Sequence, residues 1–255
     1  MSWNLVDTVV LDVDSDRGRV VIKAAGPDNH HIGREITAHQ GFTDCLARTG
    51  RAARLLHHDR PANQLVMEYL HGSLVQGSVA EFEPDTYWQA GRLARAFHGQ
   101  AQRLDAHWDA AAVAKSLGWL DKSHRIGPQT AARLREILTA YHPRPVTVVP
   151  THGDWQPRNW LVDEGAIKVI DFGRFEWRPA VSDFHRLAAQ QWRKDRRLEE
   201  AFFAGYGGDP RISDQWRMQA IHEAIGTAVW AYHVGDERFE NQGYRMIAEA
   251  LTLFE

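Results

Sequence analysis

The sequence contains very little cysteine. Cys45 is the single cysteine among its 255 residues, which excludes an intramolecular disulfide framework and a cysteine-based zinc site. No apolar run approaches the roughly 20 residues that a membrane-spanning helix needs. The first residues lack the positive leader and the apolar stretch of a signal peptide. These absences predict a soluble, cytoplasmic protein with no membrane partner.

A surplus of charge of one sign is also absent. The 30 basic residues are balanced by 33 acidic residues, which gives a net charge of −3. Because proteins that grip nucleic-acid phosphates carry a basic surplus, this balance argues against nucleic acid as a partner. Lysine is scarce, with five lysines against 25 arginines. Codon bias accounts for the scarcity, but a lysine inside an apolar strand still indicates a buried partner.

The strand signals fall into two groups. Apolar and β-branched residues on either side of a turn at 14–18 predict a hairpin over residues 6–24, and residues 64–70 form a further short strand. A second group comprises a strand at 146–150 and a hairpin over 160–170. The first group makes the start of the chain strand-rich.

The helix signals dominate the rest of the chain. A helix is predicted over residues 32–46, and Asp85 is predicted to cap another helix with Trp88 and Phe97 on one face. The residues from Ser182 onward are predicted to be mostly helical. We therefore expect an α+β protein with a small β-rich lobe over residues 1–72 and a larger helical lobe over residues 73–255.

Two loops of the second strand group carry oxygen-bearing side chains. The first is His152-Gly153-Asp154-Trp155-Gln156-Pro157-Arg158-Asn159, and the second is Ile170-Asp171-Phe172-Gly173. Asp154, Asn159 and Asp171 are predicted to lie at adjacent loop tips. Hard oxygen ligands of this kind suit Mg²⁺, which is typically held by one or two protein groups together with nucleotide phosphates. A nearby carboxylate that does not bind the metal can orient a hydroxyl and accept its proton.

These two runs resemble the catalytic loop and the metal loop of the protein-kinase-like fold. The His-Gly-Asp form is similar to that of the aminoglycoside phosphotransferase and choline kinase family, whose members phosphorylate small molecules. The resemblance implies a two-lobed fold and ATP or GTP and Mg²⁺ as cofactors. It assigns the catalytic role to Asp154 and the metal to Asn159 and Asp171.

The same resemblance extends upstream into the strand-rich lobe. Lys23 follows Val21 and Ile22 as the family's third-strand lysine does, and Glu35 lies where the family places the lysine's partner. Glu68 and Leu70 fall at the hinge that offers backbone groups to the nucleotide base. Arg174, just past the metal loop, is a further candidate for nucleotide binding, although a surface position explains it equally well.

Two residues are expected to support the site rather than react. By resemblance, Asp183 holds the catalytic loop by accepting hydrogen bonds from its backbone amides, and His152 fixes the same loop. Asp183 follows Asp171 by only twelve positions. A protein kinase needs a longer activation segment and an Ala-Pro-Glu-like anchor, so the spacing favours a small-molecule acceptor.

The acceptor-binding residues are less clearly marked. Trp155 and Trp177 flank the loops and are candidates for an aromatic wall, with packing in the core as the alternative. Glu223, Asp236 and Glu237 are candidate carboxylates for a polycationic acceptor, and a solvated helix face explains them as well.

The expected function is transfer of the γ-phosphoryl group of ATP or GTP to a hydroxyl of a small molecule. Candidate acceptors are an aminoglycoside-like or other antibiotic, in resistance or self-protection, or a metabolic alcohol such as choline, homoserine or a sugar. A catalytically weak nucleotide-binding scaffold is the alternative outside enzymes, because the first strand and the phosphate-covering loop are expected to be absent or reduced to Met1–Leu5.

Overall fold

The structure is a computed structural model, and it describes residues 8–16 and 18–255. The described chain divides into two compact units. One comprises the residues up to Gln102 together with Val149–Asp209, and the other comprises Arg103–Val148 and Pro210–Glu255. The predicted hairpin, the predicted hinge and both predicted loops all belong to the first unit.

The described residues up to Gln102 form an antiparallel sheet followed by helices. Their elements are β1 (Thr8–Ser15), β2 (Gly18–Ala25), α1 (His30–Gly41), α2 (Asp44–Ala47), β3 (Leu55–Asp59), β4 (Gln64–Glu68), β5 (Ser73–Leu74) and α3 (Pro84–His98). The first four strands pair in the order β1-β2-β4-β3. The predicted hairpin is therefore present, while the shortened start that was expected at Met1–Leu5 lies outside the described residues.

From residue 103 onward the chain is mainly helical. Its elements are β6 (Arg103–Asp105), α4 (Trp108–Leu120), α5 (Pro128–Ala140), β7 (Val146–Thr151), β8 (Trp160–Asp163), β9 (Ala166–Val169), β10 (Glu176–Arg178), α6 (His185–Leu187), α7 (Arg196–Tyr206), α8 (Ser213–Val234) and α9 (Glu237–Thr252). A π-helix at Ala188–Trp192 continues α6. The predicted α+β class and the hairpin of β8 and β9 are confirmed.

Helix α1 packs against the four-stranded sheet through one face. Ile32 and Ile36 are almost completely buried, and they pack with Leu65 of β4 in a small apolar core. Glu35 lies between them in sequence and is also buried. Lys23 of β2 pairs in register with Leu65, which places a lysine on the central part of the same sheet. A buried carboxylate and a partly buried lysine therefore face a common apolar layer.

Two predicted helix boundaries were wrong. The helix expected over residues 32–46 is divided into α1 and α2, since Phe42 ends α1 and its N–H donates to the carbonyl of Ala38. Glycine at position 41 disfavours continuation, because glycine is a poor helix former. Helix α3 begins at Pro84 with Glu83 as its N-cap residue, so Asp85 lies inside the first turn instead of capping it.

The buried face of α3 also differs from the expectation. Trp88 is 39% exposed, whereas Tyr87, Ala94 and Phe97 are fully buried. Helix α3 packs closely on α7 of the same unit. A Cβ atom on Gly91 would overlap the backbone of Phe202, so glycine is required for this approach of the two helices.

The second unit is a helical assembly with its own core. Helices α4, α5, α8 and α9 contribute the apolar side chains, among them Leu120, Leu134, Ile221, Ile225 and Ile247. Within the described residues, no helix is both long enough and apolar enough to cross a membrane.

Candidate active site

The catalytic loop is fixed by the carboxylate of Asp183. Strand β7 ends at Thr151, and the next two backbone N–H groups, of His152 and Gly153, donate to Asp183 at 2.8 and 2.6 Å. The side chain of His98 lies 3.0 Å from the same carboxylate. Burial opposes the charge on Asp183, but the hydrogen bonds from His98 and the loop amide lower the pKa of Asp183 below its usual value.

Gly153 has a backbone conformation that the loop needs. Its φ is +80°, in the left-handed region, and a Cβ atom would overlap the carbonyl oxygen of Arg174 and the guanidinium of Arg178. The segment after the metal loop thus lies directly against the catalytic loop.

His152 joins the two loops. Its Nδ1 accepts a hydrogen bond from the N–H of Asp154 at 3.2 Å, and its Nε2 lies 3.0 Å from the carbonyl oxygen of Ile170. A ring that accepts at Nδ1 and donates at Nε2 is the neutral Nε2–H tautomer. The N–H of Ile170 donates in turn to the carbonyl of Asn159 at 3.0 Å. Asp154, Asn159 and Asp171 are therefore held on neighbouring backbone segments.

The carboxylate of Asp154 is surrounded by hydrogen-bond donors. Its Oδ1 accepts from Gln156 Nε2 at 2.5 Å and lies 2.9 Å from Arg186 Nε. Its Oδ2 accepts from Arg158 Nη2 at 2.5 Å and from Asn159 Nδ2 at 2.9 Å. The side chain of Asp154 is only 4% exposed. Because a carboxylate oxygen offers about two acceptor positions, both oxygens are fully engaged.

These donors decide the charge of Asp154. Burial alone would raise the pKa of Asp154, but the guanidinium groups of Arg186, Arg158 and Arg174 outweigh it and hold the pKa of Asp154 far below its usual value. Asp154 is therefore ionised throughout the physiological pH range.

Asp171 has a more open environment. Its side chain is 53% exposed, and Oδ1 accepts a hydrogen bond from Lys23 Nζ at 3.2 Å. The charge of Lys23 lowers the pKa of Asp171 against the opposing effect of burial. Its φ of +66° is in the left-handed region, which is uncommon for a residue other than glycine and recurs at functional sites.

Lys23 connects the sheet to the metal loop. Its ammonium donates to both carboxylate oxygens of Glu35, at 2.8 and 2.9 Å. The side chains of Lys23 and Glu35 are 12% and 2% exposed. Burial opposes the charge on Lys23, but the carboxylates of Asp171 and Glu35 raise the pKa of Lys23 above its usual value. Lys23, Glu35 and Asp171 thus form one ion-pair cluster.

The hinge residues are engaged by the sheet. The N–H groups of Glu68 and Tyr69 donate to the carbonyls of Arg54 and Arg19, and the carboxylate of Glu68 forms an ion pair with Arg54. Leu70 is partly buried. Because these two N–H groups already donate within the sheet, a nucleotide base would have to bond to other backbone groups of the segment.

The predicted acceptor residues are divided between the two units. Trp155 is completely buried, with its ring 6.2 Å from that of Trp160, so its side chain is part of the core and presents no surface to an acceptor. Trp177 is partly buried and packs edge-on against Phe42 at 5.7 Å. Glu223, Asp236 and Glu237 belong to the second unit, where Asp236 caps α9 by accepting from the N–H of Phe239.

Sequence reasoning missed three residues that contact Asp154. Gln156 and Arg158 lie inside the catalytic loop, and Arg158 is four residues after Asp154 on a 3-10 turn at Pro157–Asn159. This spacing is a local signal that could have identified Arg158. Arg186 comes from α6, and no local pattern connects it with Asp154.

Comparison with known proteins assigns the chain to a protein family. The sequence profile described as the phosphotransferase enzyme family (APH) matches residues 7–217. The chain belongs to this phosphotransferase family. Its matched region contains the catalytic loop, the metal loop and the Lys23 cluster, and the predicted resemblance is confirmed. No curated protein sequence gives a significant match.

Solved structures with a similar fold agree with this assignment. A choline/ethanolamine kinase family protein from Mesorhizobium loti is 18% identical, with a TM-score of 0.63, over 98% of this chain and 86% of that one. A choline kinase from Streptococcus pneumoniae is 14% identical, with a TM-score of 0.65, over 95% of this chain and 89% of that one. A spectinomycin phosphotransferase, solved with ADP and spectinomycin, is 15% identical, with a TM-score of 0.59, over 97% of this chain and 84% of that one.

These likenesses establish the kinase-like fold. Family membership makes the chain a phosphotransferase of the kinase type that acts on small molecules. At these identities the neighbours do not specify an acceptor for this member of the phosphotransferase family.

Proposed function

We propose that this protein transfers the γ-phosphoryl group of ATP or GTP to a hydroxyl group of a small molecule. The observation that carries the proposal is the cluster of Lys23, Glu35 and Asp171 beside the loop of Asp154. Lys23 Nζ lies 2.8 Å from Glu35 and 3.2 Å from Asp171. Residues that are far apart in sequence thus meet in the combination that phosphoryl transfer requires.

The nucleotide side of the proposed site is the four-stranded sheet of β1, β2, β3 and β4, in the predicted lobe of residues 1–72. Lys23 is buried and permanently charged, so it supplies a fixed cation for the α- and β-phosphates. Glu35 holds the ammonium in place. Two neighbours of the same fold, the spectinomycin phosphotransferase and an aminoglycoside phosphotransferase with bound hygromycin B, were solved with ADP, which supports a nucleotide at this position.

The oxygen donors at the loop tips suit Mg²⁺. Asp171 has a half-exposed carboxylate, and Asn159 uses its Nδ2 to donate to Asp154, which leaves its amide oxygen as the acceptor. Among the described residues, no group of three His, Cys, Asp or Glu side chains forms a metal cluster by itself. Two protein ligands completed by phosphates and water is the usual arrangement for Mg²⁺. When bound, the ion would neutralise charge on the phosphates.

Asp154 is the proposed group that orients the acceptor. A carboxylate that stays ionised accepts a hydrogen bond from the hydroxyl and takes the proton as the new phosphate ester forms. Since little covalent chemistry falls to the protein in phosphoryl transfer, positioning and charge neutralisation supply most of the rate. Residues 73–255 would supply this loop and the acceptor site.

The finer assignment concerns the acceptor. An antibiotic and a metabolic alcohol are both compatible with the family, whose solved neighbours include antibiotic phosphotransferases and choline kinases. The intact set of Lys23, Asn159, Asp154 and Asp171 supports an enzyme over a scaffold.

The test is a screen of aminoglycosides, macrolides, amino alcohols and sugars with Mg-ATP or Mg-GTP, read as a mass gain of one phosphoryl group. We expect nucleotide-dependent transfer to one acceptor class and its loss in Asp154→Ala, with nucleotide binding retained. Asp163→Ala is the matched control, because Asp163 pairs with Lys168 in the β8–β9 turn. Absence of thermal stabilisation by either nucleotide at millimolar concentration would refute the proposal.

A further inference from the structure

The hydrogen bonds of Asp154 leave no position for an acceptor hydroxyl. Each of its oxygens already has at least two donors, supplied by Gln156 and Arg186 on Oδ1 and by Arg158 and Asn159 on Oδ2. If Asp154 orients a hydroxyl, as the proposed function requires, one of these donors must leave when the acceptor binds.

Exposure identifies the donor that leaves. Gln156 and Asn159 are buried, with 4% and 5% of their surfaces exposed. The side chain of Arg186 is 19% exposed and that of Arg158 is 34% exposed. Arg158 is therefore the donor most accessible from solvent, and turning away from Asp154 would break its two hydrogen bonds to Oδ2, from Nη2 at 2.5 Å and from Nε at 3.2 Å.

Charge indicates what meets Arg158 when it turns. Arg158 Nη2 and Arg186 Nε lie 2.5 and 2.9 Å from the carboxylate of Asp154, so two guanidinium groups contact one carboxylate. Lys23 is already matched by Glu35 and Asp171. An anionic group on the acceptor would replace Asp154 as the partner of Arg158, whereas a cationic acceptor would be repelled by the guanidinium of Arg158.

We propose that Arg158 binds the acceptor directly and that the acceptor carries an anionic group, a carboxylate or a phosphate, close to the hydroxyl that Asp154 orients. This inference rests on the proposed function. It names an acceptor class opposite in charge to an aminoglycoside or to choline. A planar guanidinium suits both anions, because each can accept two parallel N–H bonds.

The test measures binding of four small alcohols that differ in charge: glycerol, glycerate, glycerol 3-phosphate and choline. The full chain is first loaded with Mg²⁺ and a non-hydrolysable ATP analogue, so that the γ-phosphate position is filled. We expect glycerate or glycerol 3-phosphate to bind at least about tenfold more tightly than glycerol, and choline to bind more weakly than glycerol. Comparing the two anions distinguishes a carboxylate from a phosphate.

Three variants show whether Arg158 causes the preference. Arg158→Gln is expected to remove it, and Arg158→Glu to shift it toward choline. Arg197→Gln is the matched control, since Arg197 is an exposed arginine of the same unit that pairs with Asp195. A purely structural role of Arg158 would change stability in these variants without reversing the charge preference.

Several outcomes would overturn the inference. Anionic alcohols that bind no better than glycerol would do so, as would a preference that survives in Arg158→Gln. If Arg158→Gln weakened the ATP analogue but not ADP and left the alcohol preference unchanged, Arg158 would serve the γ-phosphate instead. Failure of the proposed function has a separate signature, because the loading step would then show no nucleotide binding.

Discussion

The two aspartates of the site have the same side chain and opposite surroundings. Asp154 of the catalytic loop is 4% exposed and contacts two arginines, whereas Asp171 of the metal loop is 53% exposed and contacts one lysine. The first carboxylate is fixed in position and charge. The second can exchange solvent for another ligand. The surroundings of each carboxylate therefore favour its proposed role, orientation of the hydroxyl for Asp154 and metal binding for Asp171. Paired carboxylates in other enzymes are distinguished in the same way.

The backbones of the two loops also differ. The catalytic loop is held by its amides on Asp183 and by the ring of His152. Asp171 instead has a left-handed backbone and is followed closely by Gly173. Rigidity at Asp154 serves orientation of a reacting group, while accessibility at Asp171 serves binding of a ligand from solution.

The largest expected effect comes from making the same substitution in both loops. Asp154→Asn should reduce turnover about a thousandfold, because it removes the charge that accepts the proton, and should leave nucleotide affinity unchanged. Asp171→Asn should raise the Mg²⁺ concentration for half-maximal activity by about tenfold or more, since it removes a charged oxygen ligand. Turnover measured across a Mg²⁺ titration separates them. Identical metal dependence in the two variants would break the comparison.

The next largest effect is the loss of stability on replacing Lys23, the lysine that forms an ion pair with Asp171. Lys23→Met should destabilise the fold by about 3–5 kcal/mol, because Glu35 would be left buried and unpaired. The double variant Lys23→Met/Glu35→Leu should recover much of this loss while still lacking nucleotide affinity. Denaturant unfolding measures the stability.

Lys168→Met is the control for this experiment. Lys168 also pairs with an aspartate, but its partner Asp163 is 37% exposed, so the expected loss is below about 1 kcal/mol. Equal losses for the two lysines would contradict the distinction between a buried and an exposed pair.

The smallest effect is the pH dependence of the packing beneath the metal loop. His39 of α1 is buried and its ring packs edge-on against Phe172 at 5.4 Å. Burial, assisted by the charge of Lys23, lowers the pKa of His39 to about 4. In the unfolded chain His39 has its usual pKa of about 6.5, so as the pH drops below this value the unfolded chain binds a proton that the folded protein does not. The contribution of His39 to the free energy of unfolding should therefore fall between about pH 6.5 and about pH 4, by roughly 3 kcal/mol.

Unfolding free energies measured across this pH range check the prediction. His39→Gln should reduce the slope, because it removes one titrating group. Burial also lowers the pKa of His222 to about 4, so the contribution of His222 should remain. His107→Gln is the control, since His107 is exposed. A slope that is unchanged in His39→Gln would show that His39 makes no contribution to it.

Local sequence patterns predicted the parts of the site that depend on short stretches of chain. The β1–β2 hairpin, the β8–β9 hairpin and the two loops follow from alternation, turn residues and motif spacing. The scarcity of lysine directed attention to Lys23, and its predicted neighbour Glu35 lies 2.8 Å away. These predictions succeeded because the pattern and the structure extend over the same few residues.

The wrong or open predictions concern side chains whose surroundings come from elsewhere in the chain. Trp155 was a candidate for the acceptor wall with packing in the core as the alternative, and the structure has the core packing, with Trp160 and His152 against its ring. Trp88 was placed on the buried face of α3, yet it is 39% exposed, although its backbone lies against Gly205 of α7. Helical periodicity gives a face but not the partner that covers it.

The sequence by itself determined that Asp154, Asn159 and Asp171 lie on neighbouring loops and that a lysine of the first sheet belongs with them. Only the tertiary structure decided the environment of each group. Arg186 reaches Asp154 from a helix that begins more than thirty residues later, and Lys23 reaches Asp171 across most of the chain. Charge, pKa and accessibility arise from such long-range contacts, because they depend on which atoms surround a carboxylate in space rather than along the chain.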